Sequence, residues 1–385
     1  MDLYLFSVLA FVLFLVFLIY RDRKNIEFHY LLLMRRTKTG IKILDKLAKP
    51  KMFWKALGTV GVFVAFFLMF EGFVSLIIYG QLLLAGAVKM PGLSFVFPSV
   101  KSEIEAGPGY LFLPFWFWII IIISVIVPHE TFHGIISRVE KIRVKSAGFL
   151  LLAILPGAFV EPDERQLKKS KFMSKLRIFA SGSLANFLMY FFVFNITANL
   201  IWPYFVRGPI VLKELNATGP AAQAGLEVGM IISEINKNPI RLTYSEFLSG
   251  SKYLSEETRG LKPGDEITVI ANNREFKIIL GSNPENESLP YLGIVYAPIT
   301  RNEIIPFGFI FQLLTWIWII NYAISVFNIM PIYPLDGGMM IQAIAEKISK
   351  KHAVKITYVI SAVTLSILVF NFVAPFLLQT IPLPS

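Results

Sequence analysis

The 385-residue chain is 55% hydrophobic and only 16% charged, with a mean hydropathy of +0.62; soluble domains carry about a quarter charged residues, so an ordinary soluble enzyme is disfavoured. With no cysteine, disulfide scaffolds, Cys-ligated zinc, iron–sulfur clusters and cysteine nucleophiles are excluded, and four histidines are too few for a histidine-rich di-iron membrane oxygenase. The net charge of +11 would suit nucleic acid, but the position of the charges argues for topology instead.

Apolar blocks long enough to span a bilayer run over 3–20, 57–88, 111–135, 178–203, 304–330 and 353–380. The first begins with Met1-Asp2, has its basic residues behind it and lacks a small-x-small cleavage site, so it reads as an uncleaved anchor. Residues 21–55 mix Leu31, Leu32, Leu33 and Trp54 with eleven Lys and Arg, which predicts surface-lying amphipathic helices. The 89–110 connection holds only Lys89 and Lys101. Ser146 to Pro162 is apolar but only about 15 residues long, too short to cross. It is cut by Pro156-Gly157 and has basic flanks, which predicts a re-entrant hairpin or buried loop that enters and leaves on one side.

Residues 204–303 read differently. Short β-rich runs such as Val211-Leu212 and Ile267-Thr268-Val269-Ile270 alternate with turn signals at Thr218-Gly219-Pro220, Asn238-Pro239 and Lys262-Pro263-Gly264-Asp265, predicting a small β-rich domain. Its ten basic residues are diluted by twelve acids. Three basic clusters, eleven residues over 21–55, ten over 138–177 and four over 347–355, face the cytoplasm by the positive-inside rule. Six spans then put both termini, the 89–110 loop and the 204–303 domain outside. Topology explains the charge, and no nucleic-acid partner is needed. The division is 1–56, anchor and basic cytoplasmic segment; 57–203, spans with the re-entrant segment; 204–303, the extracytoplasmic domain; 304–385, the last spans.

Ionisable residues inside the spans should face a cavity or a partner. They are Glu71, His129, Glu130 and His133, with Asp336 just past the fifth block. His129-Glu130-Thr131-Phe132-His133 puts two imidazoles at i and i+4 on one helix face, spaced to hold one zinc ion, with a carboxylate between them aimed at water on the metal. Zinc needs a third protein ligand with a fourth position left for water. His29 and His352 lie in basic flanks and read as solvated loop residues. Asp336 is the better candidate: it follows the helix-breaking Pro331 and Pro334 and precedes Gly337-Gly338, which admit close backbone approach. A helix N-cap is its alternative role. Depth agrees. His129 lies about 27 Å along a helix from Leu111, and Pro306 to Phe327 spans about 33 Å, so both sites reach the cytoplasmic third of the bilayer. Glu71 has no motif; it reads as a hydrogen-bonded carboxylate inside the bundle or as a lining for water or substrate entry.

The combination resembles the site-2 protease family of intramembrane zinc metalloproteases. The resemblance is carried by His129-Glu130-x-x-His133, by Asn328-x-x-Pro331-x-x-Pro334-Leu335-Asp336-Gly337-Gly338 and by Gly182-x-x-x-Asn186, and it covers about 110–203 and 304–350. It implies an all-α polytopic membrane fold of about six helices with a re-entrant loop, and one Zn2+ per chain held by His129, His133 and Asp336. It also implies Glu130 as catalytic base and Asn186 and Asn328 as supports of the substrate or transition state, with interhelical hydrogen-bond glue as the alternative for the two asparagines. The substrates it implies are single-pass membrane proteins in the cell membrane of a prokaryote, cut after a first ectodomain cleavage. The insertion resembles a PDZ domain in its run from Gly225 to Asn236, although Met230 and Lys237 depart from the usual Asp and Gly. A CAAX-processing membrane protease shares the histidine motif but takes a glutamate as third ligand. A catalytically silent adaptor working through the PDZ-like domain is the reading from another class.

Overall fold

The computed structural model describes residues 3–30, 32–152, 155–240, 244, 260–284, 286–300 and 305–378. Its chain divides into two compact units, Met1–Val193 with Trp316–Ser385, and Phe194–Thr315. Among the described residues, six helical stretches are long and apolar enough to cross a membrane: Leu3–Asn25, Lys51–Leu84, Phe115–Val139, Phe172–Ile201, Gly308–Ile329 and Ala353–Leu377.

In the first unit, helix α1 (Leu3–Asp22) is apolar all round, and Val8 is its one buried residue; such a helix suits lipid rather than water. Residues 21–55 correct the expectation of surface helices in part. Strands β1 (Ile26–His29) and β2 (Leu32–Arg36) come first, then the amphipathic α2 (Lys38–Leu47), whose N-terminus is capped by the Thr37 hydroxyl accepting from Thr39 N–H. Helix α3 (Lys51–Leu84) follows. The 89–114 connection forms a small sheet of β3 (Phe95–Ser99), β4 (Glu105–Gly107) and β5 (Tyr110–Pro114), ordered β3-β5-β4. Residues 111–114, expected at the start of a span, therefore belong to a strand.

Helix α4 (Phe115–Val139) carries the histidine motif and runs into β6 (Val144–Leu152) and β7 (Leu155–Pro162). These two strands are an antiparallel hairpin over the stretch expected to turn back on itself, and they join β1 and β2 in a four-stranded sheet ordered β1-β2-β6-β7. Helix α5 (Glu164–Lys169) is capped by Asp163, which accepts from Gln166 N–H. Helix α6 (Phe172–Ile196) follows and continues through a π-helical turn at Thr197–Ile201.

Helix α7 (Trp202–Phe205) leads into the second unit, whose strands β8 (Val206–Leu215), β9 (Ile231–Ile235), β10 (Asn238–Pro239), β11 (Glu266–Ala271), β12 (Arg274–Ile279) and β15 (Ile294–Thr300) form one sheet. Its order is β12-β11-β9-β8-β15, with β10 on β9. Helix α8 (Pro220–Gln223) and the hairpin of β13 (Gly281–Asn283) and β14 (Asn286–Tyr291) complete the unit. Alternation along β11 buries Ile267, Val269 and Ala271, the period-2 pattern of a half-buried strand. Gly225 and Gly229 take φ of +87° and +90°, conformations that suit glycine.

The chain returns to the first unit through α9 (Ile305–Ile329), α10 (Asp336–Ile348) and α11 (Ala353–Leu378). The core that positions the site is shared among helices: Val62 and Leu68 of α3, Ile136 of α4, Ile178 of α6, Ile329 of α9 and Met340 of α10 are all buried together. Between spans, where lipid tails are as apolar as these side chains, their contribution is close packing rather than removal of apolar surface from water. A second cluster packs Leu44 of α2 against Ile135 and Val139 of α4 and against Val144 and Ala147 of β6. The helix bearing the motif is thus held on two sides.

Candidate metal centre

One helical turn separates His129 from His133, and their ring centroids lie 4.8 Å apart. The two Nε2 atoms are 3.2 Å from each other. Asp336, the first residue of α10, brings its Oδ2 to 3.4 Å from His129 Nε2 and 3.2 Å from His133 Nε2. Tetrahedral zinc with ligands at about 2.05 Å has ligand–ligand edges of about 3.3 Å. The three donors stand at that spacing. Asp336 Oδ2 is buried and receives no hydrogen bond among the described residues, and a buried carboxylate oxygen without a donor fits a cation in its place. Asp336 does not act as an N-cap: Leu335 holds that position, with no side-chain capping bond.

Neighbouring groups fix which nitrogens are free. His133 Nδ1 lies 2.7 Å from the Ile178 carbonyl and 3.2 Å from Ser181 Oγ. Donating to that carbonyl, it keeps its proton on Nδ1 and turns the Nε2 lone pair inward. His129 Nδ1 faces the amide of the fully buried Asn186 at 3.2 Å. The ring of His129 with a metal-facing Nε2 carries its proton on Nδ1, and the Asn186 amide oxygen, unpartnered among the described residues, is the matching acceptor after a half-turn of the amide.

Glycine makes the room. A Cβ at Gly182 would collide with Nε2 of both His129 and His133, so this residue must present bare backbone to the donor cluster. Gly182 and Asn186 sit one turn apart on α6, the first against both rings and the second against His129. Cβ atoms at Gly337 and Gly338 would strike the backbone of Ile329, Met330, Ile332 and Tyr333. Only glycine lets the start of α10 press against the end of α9 closely enough to deliver Asp336.

Glu130 lies outside the donor triad. Its carboxylate accepts from the Val160 N–H of β7 at 2.9 Å, which ties the helix to the hairpin. No local pattern of residues signals that bond, because Glu130 and Val160 are thirty positions apart. Asn328 is half-buried in the last turn of α9, one residue before the Ile329 carbonyl that Gly337 abuts. His352 is exposed, with Nδ1 3.1 Å from Ser349 Oγ. His129, His133 and Asp336 are the one cluster of metal-capable side chains among the described residues, and neither His352 nor the backbone position of His29 on β1 enters it. Glu71 accepts from Ser75 Oγ at 3.2 Å, a hydrogen-bonded carboxylate within the bundle.

A family model, peptidase family M50, matches residues 116–370, about two thirds of the chain and inclusive of every residue of the site. An uncharacterised protein of Methanocaldococcus jannaschii is 28% identical over 346 residues, which cover 89% of this chain and 86% of that protein.

Proposed function

The chain belongs to peptidase family M50, the zinc-dependent membrane metallopeptidases of the site-2 protease type, and on that premise we propose that it hydrolyses peptide bonds within the transmembrane segments of single-pass membrane proteins. His129, His133 and Asp336 would hold the zinc ion and Glu130 would act as the base. The observation that carries this reading is the trio of donor atoms 3.2–3.4 Å apart, two of them on the candidate span Phe115–Val139 and the third at the start of α10. When bound, zinc supplies the Lewis acidity that activates water and polarises a peptide carbonyl.

The chain's own residues do the rest. Glu130, held in place by Val160 N–H, takes the proton of the attacking water and passes it to the leaving nitrogen. Ile178 orients His133 and Asn186 orients His129, while the glycines after Asp336 let the start of α10 deliver its carboxylate, so the site is assembled before a substrate arrives. The apolar surroundings restrict bulk water, and the positive-inside rule supports a site toward the cytoplasmic side.

A substrate helix hides its carbonyls in its own hydrogen bonds and must unwind before cleavage. We assign the receiving edge to β7. Thr37 N–H donates to the Ala147 carbonyl at 2.8 Å, so Ala147 faces β2. Its cross-strand partner Val160 then faces away from β6, as the bond to Glu130 confirms for that N–H. By alternation Ala158 also turns its N–H and carbonyl to the outer side, where no strand pairs among the described residues. An unwound substrate would add there as a further strand and end beside Glu130. Ala158→Pro removes an outer donor at an edge that tolerates proline; loss of one net hydrogen bond, about 1 kcal/mol, should lower kcat/KM about 5-fold with the fold retained.

The β-rich insertion is proposed to be a PDZ-like module outside the membrane that restricts bulky ectodomains, so that cleavage follows an earlier trimming step. Replacing 207–301 with a short linker should then allow untrimmed substrates to be cut. The adaptor reading is disfavoured by an intact donor trio, and the CAAX-type reading by an aspartate as third donor. The test is reconstitution of the chain with a one-span reporter: fragments should appear with zinc, vanish with chelator and return on zinc addition. A reporter that stays intact under all three conditions would remove the assignment.

A further inference from the structure

Where α4 ends, the backbone closes in a Schellman turn. Lys141 N–H donates to the Arg138 carbonyl at 3.1 Å and Ile142 N–H to the Ser137 carbonyl at 2.8 Å, with Lys141 at φ +62°. That left-handed position is one helices usually give to glycine. A lysine there carries a conformational cost, and its side chain is delivered to a defined place.

That place is a polar pocket of about 520 Å³ bounded by Lys49 and Lys51 from the α2–α3 junction, Arg138, Lys141 and Arg143 from the end of α4, and Gln166 of α5. Buried Ala48 and Ile142 also line it. Five cations converge from two separate stretches of chain. Asp45 is the one carboxylate among the lining residues, and it is engaged by Arg138 at 2.5 Å. None of Lys49, Lys51, Lys141 and Arg143 has a carboxylate within ion-pair distance among the described residues. Helix α3 starts at the same pocket without a side-chain cap, adding the positive end of a 34-residue helix dipole. Basic residues on a solvated face spread apart; here they surround a concavity. The pocket also lies at the ends of two candidate spans, Lys51–Leu84 and Phe115–Val139, on the face that positive-inside charge assigns to the cytoplasm.

We propose that this pocket binds a phosphate-bearing anion, supplied either by the headgroup of an acidic inner-leaflet lipid or by a soluble phosphorylated compound. Lys49, Lys51, Lys141 and Arg143 neutralise the phosphate oxygens. Because the turn joins the motif helix to β6, the bound anion clamps α4 against α2 and steadies the connection into the β6–β7 hairpin. This site stands apart from the donor trio and does not depend on the hydrolytic reading.

Purified full-length chain is tested in two arms by thermal unfolding, with ligand binding read as a saturable rise in Tm. One arm uses trimetaphosphate in detergent against chloride at matched ionic strength. The other uses phosphatidylcholine nanodiscs with and without phosphatidic acid. A response in the first arm alone identifies a soluble ligand, in the second alone a lipid headgroup, and in both the phosphate itself. No response in either arm overturns the proposal. Each lysine or arginine removed should weaken binding roughly 5-fold, so the Lys49→Gln/Arg143→Gln double variant should lose about 25-fold. Lys141→Gly separates ligand from fold: Tm without ligand should rise, since glycine suits the turn, while binding falls roughly 5-fold. Unchanged binding in these variants also overturns the proposal.

Discussion

Gly182→Ala is the substitution for which general helix energetics and the metal centre predict opposite signs. Gly182 lies inside α6, where replacing glycine by alanine favours a helix by about 1 kcal/mol. Its Cβ, however, would collide with Nε2 of both His129 and His133. To reach ordinary van der Waals contact the rings must retreat by roughly 1 Å, whereas a zinc site tolerates displacements of about 0.2 Å. The rings cannot retreat freely, because His133 is held at Ile178 and Ser181 and His129 at Asn186. Loss of even one of three donors should weaken zinc at least about 100-fold, equivalent to about 2.8 kcal/mol. The assay is zinc content of detergent-purified protein after dialysis against graded chelator, beside turnover of a one-span reporter. Unfolding of the chelator-treated chain provides the control: it should stay cooperative, with a Tm no higher than that of the parent, because the displaced rings strain the metal-free site as well. Gly182→Ala protein with full zinc and normal turnover would refute the steric argument.

The remaining predictions concern the ligands and their supports. Asp336→Ala, His129→Ala and His133→Ala should each lose zinc on purification, since two donors leave the ion under-coordinated, while His352→Ala keeps both metal and activity. Asn186→Leu distinguishes two roles: if the amide orients His129, zinc affinity falls about 10–100-fold, whereas a role confined to the transition state would lower kcat at full zinc occupancy. At the hairpin, Ala158→Pro should reduce kcat/KM with zinc content untouched, and an unchanged kcat/KM would remove strand addition at β7.

Much of the donor set is legible in the sequence because each member carries local punctuation. His129 and His133 announce a shared helix face by their spacing, and Asp336 is framed by Pro331, Pro334 and two glycines whose missing side chains the close approach to Ile329 and Tyr333 requires. Six apolar blocks likewise mark the helices. The hairpin of β1 and β2 is different. Its residues mix apolar and basic side chains without a clear period of two, and the strands owe their form to pairing of β2 with β6, more than a hundred positions away. Such non-local pairing leaves no mark on a short window. The Glu130–Val160 bond and the Asn186–His129 contact are hidden for the same reason, because each joins segments that only the folded chain brings together. Gly182 is legible as part of a motif, but its reason is steric and appears only with the two rings in place.

In the proposed mechanism Glu130 performs the chemistry at a metal centre it does not itself build. Glu130→Gln keeps the size of the side chain and its acceptance of the Val160 N–H while removing the base. Measured on one purified sample, zinc content should equal that of the parent protein while cleavage of the reporter falls by several orders of magnitude. Undiminished cleavage, or loss of the metal together with activity, would contradict the account.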